Sequence, residues 1–149
     1  MPALRWKARC GAIFAALLCF GAGAASAESL GDLRGVWARS AADCRVLLTG
    51  KLQSMSHAEA GKYEMVGICR KGFGLIAEAV ACEASHIDEK DGRYTFDAEC
   101  AVKGQPVRFR SGLWRRGEVI SFDPRDFNQG SFFIRGDYIR CTREYECPR

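Results

Sequence analysis

What this chain lacks narrows its chemistry before any motif is found. It has no G-x-S-x-G elbow, no H-E-x-x-H pair, no P-loop and no calcium loop, so the usual signatures of serine hydrolases, zinc proteases, nucleotide enzymes and calcium binders are missing. Gly72-Phe73-Gly74 starts like a dinucleotide loop but has no third glycine and no following helix, so it reads as a turn or bulge. Only two histidines occur, His57 and His86, and neither stands at ligand spacing from a cysteine; no two cysteines form a C-x-x-C pair. No metal, no cofactor and no catalytic residue is therefore expected. There is no internal repeat and no low-complexity linker. After the N-terminal segment, no apolar run approaches the roughly 20 residues that a bilayer crossing takes.

That N-terminal segment, MPALRWKARCGAIFAALLCFGAGAASAES, has the layout of a secretory signal. Arg5, Lys7 and Arg9 precede an apolar run from Gly11 to Phe20, and small residues end in Ala25-Ser26-Ala27. Cleavage is expected after Ala27, leaving residues 28–149 as one small domain in the periplasm or outside the cell. Leu18 before Cys19 does not suit lipid attachment at that cysteine.

Six cysteines then remain, Cys44, Cys69, Cys82, Cys100, Cys141 and Cys147, an even number that reads as a disulfide framework in a short exported chain. Cys82 and Cys100 flank SHIDEKDGRYTF symmetrically. Lys90-Asp91-Gly92 suits a three-residue hairpin loop with Gly92 left-handed, so that Glu89 faces Arg93. Counting outward then sets His86 opposite Phe96, Ser85 opposite Asp97, Ala84 opposite Ala98, Glu83 opposite Glu99 and Cys82 opposite Cys100, close enough to bond. The like-charge pair Glu83 and Glu99 is unfavourable unless an arginine relieves it. Cys141 and Cys147 could close a small loop, leaving Cys44 with Cys69; crossing these two pairs is the open alternative.

A similar hairpin loop is expected at Asn128-Gln129-Gly130. The stretch GLIAEAVACEA favours helix by composition and is assigned to strand only because of the hairpin. Short β-prone runs between turn signals continue to the C-terminus. They predict an all-β, mostly antiparallel, barrel-like meander of about seven or eight strands, with a sandwich as the alternative closure. One short helix is expected at Ala41 to about Leu48, with Ser40 and Asp43 as a capping pair and Gly50 beyond its end; LQSMSHAEAG follows as a polar connector. Trp37, Phe96, Phe109, Trp114, Phe122 and Phe133 are the expected aromatic core.

The mature chain is nearly neutral, net +1, but residues 28–100 carry −3 and residues 101–149 carry +4. Arg108, Arg110, Arg115 and Arg116 surround Phe109 and Trp114 and form a candidate patch for an anionic surface or a protein partner. Period-two alternation gives the same spacing with no ligand, and export argues against nucleic acid. Arg135-Gly136-Asp137 matches an adhesion tripeptide, but Gly136-Asp137 between β-prone runs is ordinary turn chemistry.

The phrase Leu33-Arg34-Gly35-Val36-Trp37 resembles the Gly-x-Trp opening of the lipocalin-like, or calycin, barrels. In those folds the tryptophan closes one barrel end and a basic side chain of the last strand packs over it, a role the resemblance gives to Trp37 and Arg140. With Cys44 following, the phrase also looks like the start of the Inh-type metalloprotease inhibitors, small calycin barrels whose N-terminal segment blocks a protease cleft. The expectation is an exported, non-catalytic binding protein. The alternatives are a calycin-type protease inhibitor, which needs an exposed N-terminal segment up to about Leu33, or a carrier of a small apolar ligand or lipid, which needs a hollow barrel.

Overall fold

A computed structural model describes residues 29–76, 80–102, 104–122, 134 and 136–147, without the side chain of His57. Eight strands follow one another: β1 (Gly35–Ala38), β2 (Met65–Cys69), β3 (Gly72–Leu75), β4 (Val80–Lys90), β5 (Arg93–Val102), β6 (Gln105–Arg116), β7 (Val119–Phe122) and β8 (Gly136–Thr142). Each pairs antiparallel with the next, and β8 pairs with β1 to close the barrel. Helix α1 (Ala41–Leu48) starts where Ser40 is extended and its hydroxyl accepts the Asp43 N–H at 3.1 Å; it gives way at Gly50, which is left-handed. The connector beyond is more ordered than its polarity suggests. It holds a 3-10 turn at Lys51–Ser54 and a one-turn helix, α2 (His57–Ala60). Ser56 caps α2, donating its own N–H and hydroxyl to Glu59 Oε2 and accepting the Glu59 N–H. These bonds hold the Glu59 carboxyl below its ordinary value.

The β4–β5 hairpin keeps the expected register away from its tip and departs from it at the tip. Ala84 faces Ala98, Ser85 faces Asp97 and Cys82 faces Cys100, but at the end Lys90 faces Arg93. The loop has two residues, Asp91 (φ 53°) and Gly92 (φ 78°), the signature of a type I′ turn. The residue gained at the tip is absorbed by a bulge, where His86 and Ile87 together oppose Phe96 and His86 takes φ 48°. The bulge turns Ile87 toward the core and leaves His86 facing solvent, so His86 does not lie on the inner face against Phe96. The second expected hairpin loop, at 128–130, lies outside the described residues.

Two apolar clusters form, one on each side of the barrel wall. Inside lie Trp37, Val66, Ile68, Phe73, Phe96, Cys100, Leu113, Ile120, Phe122 and Tyr138, with Leu30 and Leu33 joining from the N-terminal side. Outside, α1 covers the strip β8–β1–β2, where Val36, Ala38, Met65 and Cys44 are buried with Ile139, Cys141 and Tyr145 packed against them. Strand β1 is thus enclosed on both faces. Phe109 is only half-buried, and Trp114 is 38% exposed on the outer face, contrary to its assignment to the core. The alternation that sends Val107, Phe109 and Ser111 inward puts Leu113 in that row and Trp114 with the arginines. Phe133 lies outside the described residues.

Three disulfides staple this arrangement. Cys82–Cys100 joins neighbouring strands inside the barrel. The other four cysteines pair across the chain, Cys44–Cys141 and Cys69–Cys147, and not as Cys44–Cys69 and Cys141–Cys147. The reason is the docking of the outer elements. Cys141 is on the outer face of β8, under α1, which carries Cys44. The tail after β8 then crosses β2, laying Tyr145 against Gly67, and brings Cys147 to Cys69 at the strand's end.

Candidate functional site

One end of the barrel is closed by the segment before β1. A 3-10 turn, Gly31–Leu33, buries Leu30 and Leu33 completely, and the Leu30 N–H donates to Arg70 O at 2.8 Å. Trp37 points inward beneath this turn and donates its indole N–H to Leu33 O at 2.8 Å. Arg140, directly opposite Trp37 on β8, lays its guanidinium 4.3 Å from the ring centroid and donates to Asp32 O at 3.1 Å. Its side chain is only 5% exposed. Glu118 approaches Arg140 Nε at 2.9 Å as an ion-pair contact, at an angle too poor for a hydrogen bond, and also pairs with Arg143. Burial pulls the Arg140 pKa below the ordinary arginine value, and the Glu118 charge opposes that fall. Glycine is required at position 35 because β1 begins there at φ 138°, hard against Thr142 O, where a Cβ would collide.

Within the barrel, Trp37, Val66, Ile68, Phe96, Cys100, Ile120 and Tyr138 show 0% exposure, so no water-sized space adjoins them. Ser111 is buried, and its hydroxyl, enclosed on the inner face of β6, has no hydrogen-bond partner there. Nearer the other end, Tyr138 donates to Glu64 Oε2 at 3.4 Å, and Arg39 pairs with Glu64 while lying 4.8 Å from the Tyr138 ring centroid. Burial pushes the Tyr138 phenol up to about 12.

The outer face of β4, β5 and β6 carries the remaining sequence candidates. Arg108, Arg110 and Arg116 share it with Trp114, while Arg115 faces the other way and donates to Gly117 O at 3.2 Å. The four arginines therefore do not form one patch. Arg108 pairs with Glu99 at 2.7 Å and Arg110 with Asp97 at 3.2 Å. Because Glu99 sits between Glu83 and Arg108 across the sheet, Arg108 supplies the relief the like-charge pair needs. Arg93 stacks 5.0 Å from the Trp114 ring centroid.

His86, raised by its bulge, takes part in this ladder through Nδ1, 2.9 Å from Asp97 Oδ2. Ser85 Oγ approaches the same nitrogen at 3.5 Å. A relay from carboxylate to base to nucleophile needs the two ring nitrogens to serve different partners, and here one nitrogen serves both. Ser85, His86, Asp97, Glu99 and Arg108 line an open depression of about 420 Å³. Among the described residues, no group of three or more His, Cys, Asp or Glu side chains is arranged to hold a metal ion, and no helix is long and apolar enough to cross a membrane. No protein-family model, curated protein or solved structure matches the chain.

The sequence reading did not foresee the bulge or the outward Asp97–His86–Arg110 cluster. A left-handed histidine in mid-strand leaves no pattern in composition or alternation. The Ser56-x-x-Glu59 capping box was missed too, although its signal is the same one that marks α1.

Proposed function

We propose that this chain is an exported, non-catalytic binding protein of calycin-like build, active through its outer surface and not through a barrel cavity. The observation that carries this reading is the packed interior, where seven residues spread from the closed end toward the other have no accessible surface. An apolar carrier needs a cavity of several hundred Å³ there. The Arg140 stack on Trp37 beneath an N-terminal 3-10 turn supports the calycin likeness. The three disulfides support export to the periplasm or beyond. Leu30 and Leu33 plug the barrel end, which weighs against an inhibitory segment that stays free up to Leu33. The β4–β6 outer face is the favoured contact surface, because α1 and the tail cover the opposite strip. Its paired charges around Trp114 suit a protein partner of mixed charge better than a polyanion.

The test isolates the protein from the exported fraction and weighs it by native mass spectrometry. The expected mass is that of residues 28–149 with three disulfides and no retained lipid, and fluorescent fatty-acid analogues should not bind. A stoichiometric lipid would replace this reading with the carrier; tight inhibition of a zinc endoprotease would replace it with the inhibitor.

A further inference from the structure

Numbered along the mature chain, the six cysteines pair first with fifth, second with sixth and third with fourth. Only Cys82 and Cys100 bond to a neighbour in sequence. Cys44 must wait for Cys141 and Cys69 for Cys147, across separations of 97 and 78 residues. From this order we infer that the chain is a client of a thiol–disulfide isomerase, a partner that must undo early bonds before the barrel can close. The inference rests on the export reading, because it assumes oxidation as the chain emerges N-terminus first.

Loop closure sets which bonds form early. Cys44 lies 25 residues from Cys69, and Cys141 lies 6 residues from Cys147. Scaling contact probability with loop length to the power −3/2 favours these short closures over the native ones by roughly eightfold and roughly fiftyfold in an unfolded chain. Emergence order acts the same way, since Cys44 and Cys69 are both available while Cys141 is still 72 residues behind Cys69. The native pairs gain their advantage only when α1 docks over β8 and the tail crosses β2, and both events need the C-terminal strand in place.

The covalent chemistry balances in two stages. A disulfide-bearing oxidant takes two electrons and two protons from each cysteine pair and is itself reduced to a dithiol. Reshuffling needs no further oxidant: Cys44–Cys69 and Cys141–Cys147 contain two S–S bonds, as do Cys44–Cys141 and Cys69–Cys147. An isomerase thiolate attacks one sulfur of a non-native bond, forms a mixed disulfide and releases the other cysteine as a thiolate. That thiolate attacks the second non-native bond, and the last cysteine released displaces the isomerase, which leaves as a thiolate. The folded protein then shields the Cys44–Cys141 bond, since Cys44 is buried on the inner side of α1, against the barrel wall.

The experiment refolds the fully reduced mature protein in two arms, one with diamide alone and one with diamide followed by a reduced bacterial disulfide isomerase. Both are quenched in acid, alkylated and mapped by non-reducing proteolysis and mass spectrometry. The expected result is that the first arm stalls with non-native Cys44–Cys69, Cys69–Cys82 or Cys141–Cys147 peptides, and that isomerase raises the native linkages by about fivefold or more. Native linkages forming at the same rate and yield in both arms would overturn the inference. Export is scored separately by cleavage after Ala27; an uncleaved protein together with isomerase-dependent refolding would remove the export reading alone.

Discussion

Replacing Arg140 with methionine keeps a flexible, unbranched apolar stem and removes the charged guanidinium, so it tests the barrel closure while filling more of the space than alanine would. Arg140 stacks on Trp37 at 4.3 Å and donates to Asp32 O, with 5% of its side chain exposed. A desolvated cation–π contact on tryptophan is worth about 2 kcal/mol. A hydrogen bond from a charged donor adds about 1.5 kcal/mol or more. Relief of the buried charge returns part of this, leaving an expected net loss of about 2 kcal/mol. Glu118 keeps Arg143 and is more than half exposed, so its lost contact adds little. The assay is equilibrium urea unfolding of residues 28–149 with disulfides intact. A Trp114→Phe background makes Trp37 the fluorescent reporter. A loss of about 2 kcal/mol lowers Tm by about 7 °C for a chain of this size. A double-mutant cycle with Trp37→Leu, followed by far-UV circular dichroism because that variant has lost the reporter, should return a coupling of about 1 kcal/mol or more. A loss below about 0.5 kcal/mol with no measurable coupling would refute the account of the closed end.

Four further outcomes follow from the same geometry. Ser111→Ala should stabilise the protein by about 1 kcal/mol, because it removes a buried hydroxyl that has no partner; a loss of stability in urea would contradict the packing described around it. At position 86 the strand is held at φ 48°, so His86→Val should be about 1–2 kcal/mol less stable than His86→Gly, and equal melting curves would count against the bulge. Cys82→Ala/Cys100→Ala should cost about 3 kcal/mol and Cys44→Ala/Cys141→Ala about 4 kcal/mol, because with Cys69–Cys147 intact the first bond closes an 18-residue loop and the second a ring of about 31 residues that runs through Cys69–Cys147, with the reverse order in urea midpoints as the refuting result. Tyr138, raised to about 12, stays protonated in the folded protein while the unfolded chain ionises near 10. Its contribution is therefore complete below about pH 10 and is lost as pH rises toward 12, about 2–3 kcal/mol in all. Tyr138→Phe should flatten that decline, and an unchanged slope would show that Tyr94 and Tyr145, also raised by burial, account for it alone.

The parts of the fold legible in the sequence are those set by local chemistry. Ser40 and Asp43 mark α1 because a capping bond spans only three residues. Alternating small and polar residues mark the two faces of the lower β4–β5 ribbon, since a slip of one residue would exchange them. Near the tip, two departures cancelled. A loop shorter by one residue and a bulge longer by one leave Cys82 opposite Cys100 either way. Local pattern holds no record of such compensation. The pairing of the other four cysteines was illegible for a different reason. It depends on which faces α1 and the tail cover, and that is settled by contacts between residues 78 to 97 positions apart. Trp114 was misplaced because aromatic character outweighed parity. Its even position puts it beside Arg116 and Arg110 on the wet side. The Trp37–Arg140 contact came from family resemblance, and no rule of spacing would have brought the two together.

The two long-range disulfides close two overlapping covalent loops. A protease that cuts the backbone once at any point between Cys44 and Cys147 leaves one molecule, because every such cut is bridged by Cys44–Cys141 or Cys69–Cys147. In surroundings rich in proteases, a single nick would cost this protein a peptide bond and no fragment. Such nicking would leave it as one band on a non-reducing gel and two on a reducing one.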